Sequence, residues 1–117
     1  AFWSEIGQLD KPGDRGGYPR YTIRAEGAIP KLMRKHQNLY GDLSAGSGHN
    51  ALARDPDHAV RFLDEFQDRL FFGTDICAPD TSTPLVDFLK NLRATNRITE
   101  AVFQKVAREN AIRVLGL

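Results

Sequence analysis

The chain reads as an α/β protein in which short parallel strands alternate with helices. Two short apolar runs, residues 39–42 and 69–73, have strand length and are followed by small or acidic residues. Around them lie stretches with apolar residues at helical spacing, two of them opened by a capping residue and a proline. Strands alternating with helices build parallel βαβ units. The expected content is about two parallel strands with four or five helices.

Composition narrows the class. A chain of 117 residues fits one domain of ordinary size. It is 41% hydrophobic and 26% charged, so it is neither disordered nor membrane-like. Sixteen basic side chains against fifteen acidic ones leave a net charge of +1, which gives no global attraction to nucleic acid or to an anionic membrane. No apolar run approaches the roughly 20 residues that cross a bilayer. The opening AFWSEIGQLDKPGD lacks the basic start and apolar middle of a secretory signal. A single cysteine, Cys77, excludes an internal disulfide and suits a reducing cytoplasm.

In chain order, residues 1–28 form a loop-rich lead-in. After Ala1, Phe2 and Trp3 form a large aromatic pair that wants a packing partner, and a short helix is expected around Trp3. The glycines and prolines that follow predict a long loop. Tyr18, Arg20 and Tyr21 there form either a binding rim or a solvated surface. Residues 29–117 carry the βα units. A helix is expected over 29–35, with Pro30 in its first turn and Ile29, Leu32 and Met33 on one face. Lys35 and His36 sit at its C-terminal end, where positive charge is favoured. The strand at 39–42 precedes a small-residue loop, Ser44-Ala45-Gly46-Ser47-Gly48-His49. Asp55 and Pro56 then cap and open a helix with Ala59, Phe62, Leu63 and Phe66 as its stripe.

After the strand at 69–73 comes a loop over 74–82. Thr83 and Pro84 repeat the capping device, ahead of Leu85, Phe88, Leu89 and Leu92. Ile98, Val102 and Val106 mark a further helix, and a second short one is expected over 109–115, ending at Gly116. A two-stranded parallel sheet has open edges and faces. Something must cover them, whether more of the same fold, the lead-in, or a second copy in a homo-oligomer.

The stretches NLYGDLSAGSG, DRLFFGTD and ARENAIRVLGL, in this order, resemble the C-terminal end of the amidohydrolase-related family. These are metal-dependent hydrolases and decarboxylases on a (β/α)₈ TIM barrel. The resemblance spans about residues 28–117, and FGTD is its most specific element. It implies a partial barrel, with 39–42 as the seventh strand and 70–73 as the eighth. Asp75 then stands at the C-terminal mouth, where barrel enzymes place their chemistry. The resemblance implies that Asp75 binds a catalytic divalent metal, Zn²⁺ by expectation, and accepts a proton. The family's other ligands are histidines, a His-x-His pair after the first strand and single histidines after the fifth and sixth. All would precede residue 1. The chain thus resembles the last quarter to third of a barrel of about 250 residues, and is expected to be inactive alone.

Other candidates follow from their places. Asp42 ends a strand and is expected to face the mouth, as a substrate contact or as the acceptor of an Asp turn. His49, in the glycine-rich loop, is a substrate-facing position or a surface residue. His36 and His58 share no ligand spacing with Asp75. Cys77 reads as a small buried hydrophobe, Asp80 as a turn residue, and Asn110 as the fixture of a helix junction. Three functions remain open at this level. They are hydrolysis of a small carbonyl or carboxylate substrate by a metal-activated water, decarboxylation, and a non-catalytic α/β module that assembles through its sheet edge. No G-x-S-x-G elbow is present, and SAGSGHNAL matches no phosphate-binding loop.

Overall fold

The computed structural model describes residues 2–117; Ala1 lies outside the described residues. The element order is α1 (Ala28–Lys35), β1 (Gly41–Asp42), α2 (Ala45–Ala53), α3 (Pro56–Glu65), β2 (Leu70–Phe71), α4 (Pro84–Ala94), α5 (Glu100–Gln104) and α6 (Asn110–Leu115). Two 3₁₀ helices, Phe2–Ile6 and Pro12–Gly16, lie in the lead-in. A π-helical turn, Lys105–Glu109, joins α5 to α6, so residues 100–115 form one continuous run rather than the two helices expected. Counting that run once gives five helices beside two parallel strands, a partial TIM-barrel-like α/β arrangement.

β1 and β2 pair in parallel with Gly41 opposite Leu70 and Asp42 opposite Phe71. Both are shorter than expected. Arg69 reaches back and donates to the carbonyls of Met33, His36 and Leu39, at 2.7, 3.0 and 3.4 Å. On the edge of β2 away from β1, the amide of Phe72 donates to the Val106 carbonyl at 2.9 Å. Gly41 has to be glycine: a Cβ there would lie 2.8 Å from the Trp3 ring and 3.0 Å from Leu70 Cδ2.

The lead-in contributes to the core. Trp3 and Ile6 are buried with Leu43, Leu52, Leu63, Phe66, Leu70, Leu89 and Val102. Each such large apolar side chain contributes roughly 1.5–3 kcal/mol when taken fully out of water. Trp3 stands edge-on to Phe62, with ring centroids 6.0 Å apart. Its indole N–H donates to the Asp42 carbonyl at 2.7 Å. Phe2 stays exposed.

Several local expectations are corrected. The glycine-rich stretch after β1 is helix α2, not a loop. Leu32 is exposed while Ile29, Pro30 and Met33 are buried, so the inner face of α1 includes the proline instead. Thr83 precedes α4 without a side-chain capping bond. Cys77 is exposed, not buried. Asp55 does cap α3, accepting from the His58 amide at 3.0 Å, and Gly116 closes α6 in the left-handed conformation, with φ +69°. Asn110 is buried, and its amide donates to the carbonyls of Gln67 and Leu70, at 2.6 and 2.9 Å. It ties the continuous helix to β2 instead of marking a junction.

Candidate active site

Because β1 and β2 run parallel, the residues that leave them do so at the same end of the sheet. Asp42 is the last residue of β1. Its Oδ1 accepts from the Ser44 amide at 2.9 Å and from the Ser44 hydroxyl. This is the Asp turn expected of that residue. The hydroxyl in turn abuts the chain after β2: a Cβ on Gly73 would lie 2.0 Å from Ser44 Oγ and 3.4 Å from Asp42 Oδ1. The turn after β1 and the GTD stretch after β2 are therefore in direct contact.

Asp75 is exposed, two residues past that contact, with φ +53°. Left-handed backbone strains any residue with a Cβ, although aspartate bears it better than most. The Asp75 carbonyl accepts from Cys77 Sγ at 3.3 Å, and its Oδ1 lies 3.9 Å from the same sulfur. No ion pair engages the Asp75 carboxylate among the described residues. The thiol of Cys77 is the neighbour it has, and the carboxylate is otherwise open to solvent.

The metal that the family resemblance implies can be tested against the donors present. Among the described residues, no group of three or more His, Cys, Asp or Glu side chains could hold an ion. A zinc centre takes three or four protein ligands. Asp75 fits as one oxygen donor, and this stretch of chain does not complete the set.

His49 lies on α2 rather than in a loop, half-buried, with its ring edge-on to Phe88 at 5.9 Å. Burial pushes its imidazole below the ordinary value, which favours the neutral form. It lines a groove of about 470 Å³ with Tyr18, Arg20, Asn50 and Arg54. Asn50 donates to the Pro19 carbonyl at 2.9 Å and so holds the lead-in against α2. Tyr18 and Arg20 are therefore at a groove, whereas Tyr21 is structural. Its hydroxyl donates to Asp14 and accepts from the Asp10 amide, both at 2.9 Å. Its ring stands over the Arg54 guanidinium at 5.4 Å. Arg54 is buried, and none of its guanidinium nitrogens has a hydrogen-bond partner among the described residues. Burial holds its pKa below the usual arginine value.

His36 caps the C-terminal end of α1 and is exposed. His58 stacks on Phe62 in the first turn of α3. Asp80 is exposed within a turn whose Thr81 amide donates to the Ala78 carbonyl at 3.0 Å. The residue that the sequence reading passed over is Ser44. Its signal was present, a serine two positions after a strand-ending aspartate, but the contact with Gly73 is tertiary.

In comparisons with known proteins, the family model described as Amidohydrolase matches residues 11–117. No curated protein and no solved structure matches. With the family match covering residues 11–117, the chain belongs to the amidohydrolase family.

Proposed function

We propose that this chain forms the C-terminal part of a metal-dependent hydrolase acting on a small carbonyl or carboxylate substrate, with Asp75 as metal ligand and proton acceptor. The observation that carries the reading is the exposed carboxylate of Asp75, free of any ion pair among the described residues and held in left-handed backbone four residues beyond β2. A carboxylate within hydrogen-bond reach of a water can accept its proton. In this reading the metal is Zn²⁺, and the remaining ligands are histidines that the family resemblance places ahead of residue 1. A bound divalent metal supplies a water acidic enough to be deprotonated near neutral pH. The chain's own part is to hold Asp75 at the mouth and to accept the proton on its carboxylate. Asp42, through its second oxygen, and His49, as a neutral imidazole, contact the substrate from the β1 side. The setting is cytoplasmic, in keeping with a single free thiol.

The test uses the protein encoded by the whole reading frame around these codons. Asp75→Asn keeps the size of the side chain and its tolerance of left-handed backbone. Hydrolytic turnover should fall by about 10²-fold or more, with reduced metal content by elemental analysis and an unchanged circular dichroism spectrum. Turnover and metal content equal to wild type would remove Asp75 from the site.

A further inference from the structure

The β2 tip carries a feature that none of the roles above explains. Two of the three non-glycine residues with positive φ, Ala45 at +67° and Asp75 at +53°, stand on either side of the Ser44–Gly73 contact. The third, Asn96, lies in the turn after α4, and asparagine visits this region readily. Strained backbone persists where its surroundings over-determine it. Two contacts do so here. On one side Ser44 Oγ, fixed by donating to Asp42 Oδ1, presses against Gly73 more closely than any side chain there would allow. On the other side the Phe72 amide donates to the Val106 carbonyl, which belongs to the π-helical turn. One residue, Thr74, separates this two-sided grip from Asp75.

We propose that Ser44, oriented by Asp42, is a positioning residue for Asp75, forming with the Val106 carbonyl a clamp that sets the course of residues 72–75. The functional side of this inference rests on the reading of Asp75 as ligand and base; the clamp itself does not. The clamp transmits order through packing and hydrogen bonds, and Ser44 takes no part in bond making. It also gives the π turn a purpose. Such turns are rare insertions and often occur at functional sites. This one lies at the carbonyl that holds Phe72.

Nuclear magnetic resonance on the full 117-residue chain tests it. A residue at positive φ has a short amide-to-Hα distance, so Asp75 should give a strong intraresidue Overhauser effect. That signature is expected in wild type and in Ser44→Thr, which keeps a hydroxyl, and should be lost in Ser44→Ala. It should also be lost in Gly73→Ala, whose new methyl collides with Ser44 Oγ. Unchanged amide exchange at Phe62 and Leu63 establishes that each variant is folded. Retention of the signature in Ser44→Ala or in Gly73→Ala would overturn the clamp. The readout is independent of what Asp75 does. If Asp75→Asn left turnover intact while these spectra behaved as expected, the assignment of Asp75 would fall and the clamp would stand.

Discussion

Asn110 shows how one polar side chain can hold two elements together. It is buried in the last helix, and its amide satisfies two carbonyls at the entry to β2. Its Oδ1 accepts from Arg113 at 3.1 Å, so the side chain is nearly saturated. Alanine at this position strands the buried Leu70 carbonyl. The expected cost is about 1–3 kcal/mol, read as a lower urea midpoint with little change in m-value. A midpoint equal to wild type would mean that water replaces the amide. Asn110 was legible in the sequence as a side chain that fixes a helix junction through hydrogen bonds. What it bonds to was not, because its partners lie some forty residues away.

At the scale of elements, α2 is the instructive case. Its small residues read as a loop, since glycine disfavours a helix interior by roughly 1 kcal/mol against alanine. Close packing reverses that preference at Gly48, where a Cβ would lie 2.0 Å from the Leu43 carbonyl oxygen. Gly48 lets α2 settle onto the end of β1 and bury Ala51 and Leu52. Gly46 is different, with no atom near its missing Cβ. Gly48→Ala should therefore lower the melting temperature markedly. Gly46→Ala should leave it unchanged or raise stability by up to about 1 kcal/mol. Equal effects at the two positions would contradict this packing. By contrast, α3 was fully legible, because Asp55, Pro56 and the apolar stripe are local signals that agree with one another.

At the scale of the molecule, two properties are open to measurement. Burial pushes both His49 and His58 below the ordinary imidazole value. At His58, Arg61 and Arg54 add to this, while Asp55 and Glu26 oppose it. In the unfolded chain both titrate near about 6.5. As pH falls through that value, the unfolded chain takes up protons that the folded protein refuses. Stability is then lost progressively, down to the lower folded values. The double variant His49→Gln/His58→Gln should flatten the stability profile between about pH 7 and pH 5; an unchanged slope would point to other groups.

The second property is association. Among the described residues β1 pairs with β2 alone, and Tyr40, partly exposed, stacks on Phe71 at 5.5 Å. Open sheet edges beside apolar surface favour self-association. Light scattering should show a mass that rises with concentration, and Tyr40→Lys should suppress the rise. A constant monomer mass would show that the edge is adequately protected.

The sequence by itself determined what short-range chemistry controls. That covers the α/β class, the parallel strands, helix α1, the capped helix α3, the left-handed end at Gly116, and the family, through GDLS, FGTD and the closing helix. It also singled out Asp75. Tertiary structure decided the rest, for physical reasons that act across long separations. Gly48 makes a helix of an apparent loop because a carbonyl lies where its side chain would be. The Val106 carbonyl takes the Phe72 amide because the last helix lies along the edge of β2 away from β1. Ser44 meets Gly73 because two parallel strands end side by side. None of these partners is near in sequence to the residue it constrains, except Leu43 to Gly48, and there the decisive term is the depth of packing rather than the spacing.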